Sequence, residues 1–152
     1  MPQLSFHSPV GDLTVSEEDG AIVSVDWGWA SANKPTPLLR KAKAQLDKYF
    51  DGKLEEFDLP LNPAGTPFQK RVWQLMLKIP YGHTKTYGDL AAKLKSSPRP
   101  VGTACGVNHL PIIIPCHRVL ASNGGLGGYS GDGGLETKTA LLTLEGVMLK
   151  GI

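Results

Sequence analysis

The chain has 152 residues, of which 41% are hydrophobic and 20% charged, and its formal net charge is +2. This length predicts one domain or two small lobes, and no run approaches the ~20 apolar residues of a membrane span, so we expect no membrane partner. The mild positive charge permits nucleic-acid binding, but such a surface would have to come from local clustering of Lys and Arg.

The two cysteines, Cys105 and Cys116, are too few for a disulfide scaffold and suit a reducing compartment. The first five residues lack the basic start and the apolar run of a secretory signal. We therefore expect a cytoplasmic protein.

An antiparallel sheet with one covering helix is predicted in the first part of the chain. Three short strands separated by turns are followed by Thr36 and Pro37, which are typical of a helix start, and by apolar residues at four-residue spacing as far as Phe50. The stretch 57–65 contains Pro60, Pro63 and Gly65 and predicts a linker. We expect domains at 1–65 and 66–152. The predicted strands are Leu4 to Phe6, Asp12 to Ser16 and Ala21 to Trp27.

The second part is predicted to be mostly helical. Thr66 and Pro67 begin a helix that Pro80 stops, Thr86 and Asp89 have the spacing of a capping box for the next helix, and a short further helix is predicted from Arg99 to Val107. Two short helices joined by a tight turn are typical of helix-turn-helix DNA-binding motifs, although plain helical packing is commoner for any such pair. Nearby basic residues favour DNA: Lys93, Lys95 and Arg99.

The stretch from Ile112 to Val119 places a thiol beside an imidazole, just after a strand-like apolar run. A reactive cysteine needs a partner that favours the thiolate, because its reference pKa is about 8.5, and His117 is the nearest candidate for Cys116. Neighbouring side chains of an extended segment point to opposite faces, so a contact relayed by water is expected. Most free cysteines are inert, so the pair alone is weak support for chemistry.

The residues around this pair, from Val101 to Gly131, resemble the active-site region of the O6-alkylguanine-DNA alkyltransferases, the methylated-DNA–protein-cysteine methyltransferase family. The similarity runs from about Thr66 to Val147 and includes P-F-Q-K-R-V-W, I-P-Y-G, T-Y-G-D-L-A and L-E-G. It implies an α+β fold with a ribonuclease-H-like N-terminal lobe and a winged-helix-like C-terminal lobe. It also implies direct reversal of DNA damage, by irreversible single-turnover transfer of the alkyl group from O6-alkylguanine, and from O4-alkylthymine, to Cys116.

The resemblance assigns catalytic roles. His117, hydrogen-bonded to Glu145, would accept the Cys116 proton through a water molecule, with Asn108 supporting the same network. Tyr87 and Lys138 are candidate partners of the leaving base. The guanine pocket would be lined by Tyr87, Val119, Tyr129 and Ser130, with the Val119 carbonyl accepting from the guanine amino group. The glycine-rich loop Gly124 to Gly134 would let the backbone approach a ligand closely.

The resemblance also implies double-stranded DNA as partner, contacted in the minor groove with the damaged base flipped out. Arg99 would occupy the space that the base leaves, and the small residues Thr103 and Ala104 of the same helix would approach the groove. We expect a monomer without a cofactor. We also expect no metal, because some relatives hold zinc through N-terminal cysteines, whereas both cysteines here lie in the C-terminal half.

Two other classes of protein stay open at this point. A recognition protein that binds the lesion without repairing it, as the alkyltransferase-like relatives do, would carry another residue, commonly tryptophan, in place of Cys116. A cysteine hydrolase would also use a cysteine, a histidine and an acid, but it would need turnover and an oxyanion hole, and the helix-turn-helix would go unexplained.

Overall fold

The computed structural model describes residues 1–129 and 133–148 and divides the chain into two compact units, Met1–Ala64 and Gly65–Ile152. The α+β class expected from the sequence is confirmed: the N-terminal unit is built on a sheet and the C-terminal unit mainly on helices. Among the described residues, none of the helices has the length and apolar character needed to cross a bilayer.

The N-terminal unit is a three-stranded antiparallel sheet, in the order β1 (Gln3–Phe6), β2 (Leu13–Glu18) and β3 (Ala21–Trp27), with α1 (Pro37–Phe50) against it. Period-2 alternation places Leu13 and Val15 of β2 in the core with the apolar face of α1. Thr36 caps α1 by accepting from the Leu39 N–H at 3.1 Å, as its sequence signal predicts. The linker is tied down as well, because Ile22 of β3 pairs with Leu61 in a parallel bridge.

The C-terminal unit begins with α2 (Pro67–Leu77), followed by α3 (Tyr87–Leu94) and α4 (Pro98–Gly106). Both capping boxes are present. The Thr66 hydroxyl accepts from the Gln69 N–H at 3.1 Å, and the Thr86 hydroxyl accepts from the Asp89 N–H at 3.0 Å. The predicted pair of short helices is confirmed, and α4 packs against both α2 and α3.

Two very short strands position the rest of this unit. β4 (Lys85–Thr86) pairs in parallel with β5 (Val119–Leu120), so that Lys85 lies opposite Val119 and Thr86 opposite Leu120. β4 leads directly into α3, and β5 follows directly after the Cys116–Arg118 turn of 3-10 helix. This pairing joins the start of α3 to the end of that turn. The last helix is α5 (Leu135–Leu144).

Candidate active site

A buried turn, and not a strand, leads into Cys116, so the expectation of a strand-like run was wrong. Ile112 has φ +76°, a conformation in which β-branched residues are rare, and the Ile114 N–H donates to the Leu110 carbonyl at 2.8 Å. The apolar side chains anchor this turn in the core: Ile112, Ile113 and Ile114 are all buried. Burial of three large side chains offsets a strained backbone that sequence periodicity alone does not reveal.

Asn108 closes the same turn with both ends of its amide. Its Nδ2 donates to the Ile114 carbonyl at 2.9 Å, and its Oδ1 accepts from the Leu110 N–H at 2.9 Å. Pro115 then forms a three-residue turn (φ −80°, ψ 66°) in which the Cys116 N–H donates to the Ile114 carbonyl at 2.8 Å. Asn108 therefore holds the segment that presents the thiol.

Cys116 is 5% exposed, so its thiol lies inside the protein rather than at a surface. Burial raises the pKa of this thiol above its ordinary value, while hydrogen bonding from Asn108 and the positive charge of Lys138 act in the opposite direction. The thiol form is therefore the resting form, and a base is needed to produce the thiolate.

A charged network follows Cys116 directly in the sequence and consists of His117, Arg118 and Glu145. His117 Nε2 lies 2.7 Å from Glu145 Oε2, and Arg118 forks onto the same carboxylate, with Nε at 2.8 Å from Oε1 and Nη2 at 3.0 Å from Oε2. Arg118 Nη1 also donates to the Ile79 carbonyl at 2.7 Å. All three side chains are buried, so the pairing and the hydrogen bonds compensate for their desolvation.

The carboxylate determines which nitrogen of His117 can act as a base. An ionised carboxylate only accepts, so the hydrogen bond to Glu145 assigns the proton to Nε2 and leaves Nδ1 as the basic nitrogen of a neutral ring. Burial lowers the pKa of His117, and Glu145 opposes that effect only in part. The imidazole is therefore neutral at physiological pH and able to take a proton.

Glu145 stands at the C-terminal end of α5, where a negative charge is disfavoured by the helix dipole. Arg118 compensates for this charge, and the Gly82 N–H adds a hydrogen bond to Oε1 at 3.2 Å. Gly82 has φ +78°, and a Cβ there would lie 3.1 Å from the Glu145 carbonyl oxygen, so both the conformation and the space require glycine. Arg118 was not predicted from the sequence; the available signal was a cation beside His117, because a buried glutamate needs a positive partner.

A cavity of about 450 Å³ opens onto Cys116. Tyr87 and Tyr129 line it, together with small residues of α4 and the loop: Gly102, Cys105, Gly106 and Gly128. Burial raises the pKa of Tyr87 to about 12, so its hydroxyl stays protonated at neutral pH. Burial also raises the pKa of Tyr129 and raises that of Cys105 to about 12, so Cys105 stays a thiol at neutral pH.

Lys138 joins the two segments that enclose this cavity. Its side chain is fully buried, and its Nζ donates to the Val119 carbonyl at 2.7 Å and to the Gly128 carbonyl at 3.0 Å. It also lies 6.0 Å from the centre of the Tyr87 ring. Burial lowers the pKa of Lys138 to about 8. Lys138 thus contacts the carbonyl that the resemblance assigns to the guanine amino group, and a carbonyl oxygen has two lone pairs.

The glycine-rich loop approaches Tyr87 closely. Gly127 has φ +68°, and a Cβ there would lie 3.1 Å from Tyr87 Cε2, so the close contact depends on glycine. Tyr129 follows on this loop, whereas Ser130, the remaining predicted residue of the guanine pocket, lies outside the described residues.

The expected DNA-contacting residues separate into two groups on α4. Arg99 and Thr103 are exposed, and the Thr103 hydroxyl donates to the Arg99 carbonyl at 3.2 Å. Ala104 is 2% exposed, and its carbonyl accepts from Trp73 Nε1 at 2.9 Å. The expectation for Ala104 needs correction: its side chain lies on the packed face of α4 and is not available to a nucleic acid.

Nothing in the described ranges, 1–129 and 133–148, groups three or more His, Cys, Asp or Glu side chains in a metal-binding arrangement. The groups near Cys116 are of other types: a buried thiol, a neutral imidazole and a fixed carboxylate can supply a nucleophile, a base and an orienting group.

Two family models match this chain and together span most of it. The DNA-binding domain of 6-O-methylguanine DNA methyltransferase matches residues 67–147, and the ribonuclease-like domain of the same proteins matches residues 4–63. The second match agrees with the expected ribonuclease-like lobe.

Curated relatives and solved structures agree with these models. The constitutive methylated-DNA–protein-cysteine methyltransferase of Bacillus subtilis is 42% identical, over 94% of this chain and 94% of its own length. The methylated-DNA–protein-cysteine methyltransferase of Mycobacterium tuberculosis is 50% identical over 93% of this chain and 90% of its own. The crystal structure of Mycobacterium tuberculosis OGT in complex with DNA superposes with a TM-score of 0.85 at 40% identity, covering 95% of this chain and 92% of that one.

Proposed function

The chain belongs to the 6-O-methylguanine DNA methyltransferase family, and from this premise we propose that Cys116 takes the alkyl group of O6-alkylguanine in DNA in one irreversible transfer. The activity is that of a methylated-DNA–protein-cysteine S-methyltransferase and reverses alkylation damage directly. The observation that carries the assignment to Cys116 is its position: the thiol lines a cavity of about 450 Å³ and is followed by a neutral, carboxylate-bound histidine.

The proposed chemistry begins with proton removal. His117 takes the Cys116 proton at Nδ1 through one water molecule, and the charged network holds the resulting imidazolium beside the Glu145 carboxylate. Asn108 and Lys138 favour the thiolate that is formed, because each lowers the pKa of Cys116. In this scheme Arg118 is a positioning residue that keeps Glu145 ionised and oriented.

The transfer itself is a displacement at carbon. The sulfur–carbon bond forms as the carbon–O6 bond breaks, and the electron pair of the broken bond passes to guanine. A proton donated to the base makes guanine a better leaving group, and Tyr87 is the proposed partner because its hydroxyl is protonated at neutral pH. The products are unmodified guanine and S-alkylcysteine. A thioether does not revert, so each molecule acts once and no cofactor is required.

Double-stranded DNA is the proposed partner, bound through α3 and α4. A base inside the stack cannot present its O6-alkyl carbon to a buried sulfur, so the damaged nucleotide has to be flipped into the Cys116 cavity. The exposed Arg99 on the first turn of α4 is the side chain proposed to fill the vacated space, with Thr103 one turn further along. The relative solved in complex with DNA supports this partner. O4-alkylthymine as second substrate and the cytoplasm as compartment belong to the same proposal.

The test is the mass of the intact protein after mixing with a duplex that carries one O6-methylguanine. We expect a gain of one methylene per molecule, no gain with undamaged duplex and no gain for Cys116→Ser. No Lys or Arg lies between Cys105 and Cys116, so one tryptic peptide contains both cysteines and fragment ions must locate the adduct. Unchanged mass with tight binding would instead make this a recognition protein, and an adduct on Cys105 would contradict the assignment of the acceptor.

A further inference from the structure

A second cavity of about 410 Å³ lies in the C-terminal unit and shares no lining residue with the Cys116 cavity. The end of α2, strand β4 and one face of α3 enclose it. Its apolar lining comes from Leu75, Ile79 and Leu90. Its volume is within the ~300–1,000 Å³ typical of ligand pockets. We call it the α2–α3 groove.

Three exposed lysines, Lys78, Lys85 and Lys93, surround this apolar lining. The carboxylate among the lining residues is that of Asp89, and it accepts from the Thr86 N–H at 2.9 Å as part of the capping box. This hydrogen bond lowers the pKa of Asp89, so the group is ionised at neutral pH. The groove therefore carries three positive charges against one negative charge that already serves the helix start.

Helix termini explain two of these lysines but not the third. Lys78 caps the end of α2 and Lys93 lies in the last turn of α3, where cations are favoured by the helix dipole. Lys85 is on β4, which has no such dipole, and it adds a third charge to the same groove. The combination of an apolar lining with a cationic rim matches an occupant that is apolar at its centre and anionic on its flanks.

We propose that the α2–α3 groove docks a linear peptide segment of a partner protein, with one large apolar side chain flanked by Asp or Glu. The apolar side chain enters between Leu75, Ile79 and Leu90, and the flanking carboxylates face the lysines. Charge complementarity favours this occupant, and the apolar lining distinguishes it from DNA, because a phosphate backbone has no apolar side chain to place there. The inference goes beyond alkyl transfer, because the groove and the Cys116 cavity have no residue in common.

The test is an NMR titration of the whole ¹⁵N-labelled protein with three blocked pentapeptides. The first is Asp-Glu-Phe-Asp-Glu, the second has Ala in place of Phe, and the third has Lys in place of all four acidic residues. We expect saturable shifts of the Leu75, Lys85 and Leu90 amides with the first peptide, affinity lower by roughly tenfold with the second and no saturation with the third.

Charge-reversed proteins complete the test. The double variant Lys85→Glu with Lys93→Glu should bind the phenylalanine peptide roughly tenfold more weakly, because two attractive contacts become repulsive. The matched control, Lys48→Glu with Lys53→Glu, makes the same change in net charge on exposed lysines of the N-terminal unit and should keep the wild-type affinity. Unfolding midpoints of both proteins verify that each one is folded.

Three results would overturn the proposal. The first is the absence of saturable shifts in the groove with the phenylalanine peptide. The second is equal affinity for the alanine peptide, since that would make the contact one of charge alone. The third is a double variant that binds undamaged duplex DNA about tenfold more weakly and the phenylalanine peptide unchanged, which would make the groove a DNA contact.

Discussion

Two regions border Cys116 and are held by different means. In the charged network of His117, Arg118 and Glu145, both oxygens of the buried Glu145 carboxylate accept hydrogen bonds from side chains. The loop from Gly124 to Tyr129 is tied mainly through backbone groups, with one lysine donating to the Gly128 carbonyl at 3.0 Å. The His117 imidazole is therefore held by buried charges, and moving any one of them would leave another unpaired. The loop expected to contact a substrate is held by backbone hydrogen bonds and by Lys138, whose pKa is about 8.

The largest expected effect comes from removing the cation of the network. Arg118→Met leaves the Glu145 carboxylate buried with fewer partners, and we expect the free energy of unfolding to fall by about 3–5 kcal/mol. Urea unfolding measures this. The pKa of His117 should rise, because the Arg118 charge that lowers it is gone, and NMR titration of the imidazole shows the direction.

The matched exposed pair is Lys43 with Asp47, which has an N–O distance of 2.7 Å but side chains that are 41% and 44% exposed. Lys43→Met should cost only about 0.3–0.5 kcal/mol. Equal losses in the free energy of unfolding for Arg118→Met and Lys43→Met would show that the buried network stabilises the fold no more than an exposed ion pair does.

A smaller loss is expected for the turn that carries Cys116. Asn108→Ala removes the hydrogen bonds to Ile114 and Leu110 and should lower the free energy of unfolding by about 2 kcal/mol. Asn123 is a close control, because its Oδ1 accepts from the N–H two residues later at 2.8 Å but at an exposed site, and Asn123→Ala should cost less than about 0.5 kcal/mol. Urea unfolding of both variants decides, and comparable losses would show that burial does not distinguish the two turns.

The pH dependence of stability tests the lysine that ties the loop. Folded Lys138 releases its proton near pH 8, whereas the unfolded chain holds it until near 10.5. Between these values the unfolded state binds more protons than the folded state, so the free energy of unfolding increases with pH. It decreases again as the pH is lowered from 10.5 to 8. Relative to Lys138→Met, the free energy of unfolding of the wild type should rise by about 1.4 kcal/mol per pH unit from pH 8 to 10. Parallel urea-unfolding curves for the two proteins would contradict a buried lysine with a lowered pKa.

The smallest effect is expected within the loop itself. Gly127→Ala forces a side chain into φ +68° and against Tyr87, and should cost about 1–2 kcal/mol. Gly128→Ala is its neighbouring control, because its φ lies outside that region and nothing lies within 4 Å of an added Cβ. Thermal unfolding of the two variants checks this, and equal midpoints would show that the loop adjusts without strain.

Local signals predicted the regular elements because the interactions that create them lie within a few residues. Thr36, Thr66 and Thr86 mark helix starts that the structure has, and each accepts the predicted backbone N–H. The turn before Cys116 was mistaken for a strand, because the positive φ of Ile112 is stabilised by Asn108 and by burial rather than by the residues on either side of Ile112. Propensity describes a residue among its neighbours, and this turn is maintained by tertiary contacts.

The site was predicted as a set of residues, but its electrostatics were not. The resemblance named His117 and Glu145, and the structure places Nε2 and Oε2 of these residues 2.7 Å apart. The role of Arg118 follows from the burial of Glu145, which the sequence does not show. Ala104 was expected to face DNA because it is small, but small residues also permit close helix packing, and the Ala104 side chain is buried on the packed face of α4. Composition cannot distinguish these two uses of a small residue.

The parallel strands β4 and β5, with two residues each, fix the position of the start of α3 relative to the end of the Cys116 turn. The register is set by pairing of the two backbones, whereas the Thr86 side chain serves the start of α3. A slip of one residue in the register of β4 against β5 would move Tyr87 by one step relative to Cys116, so this short pair of strands acts as a molecular ruler for the cavity.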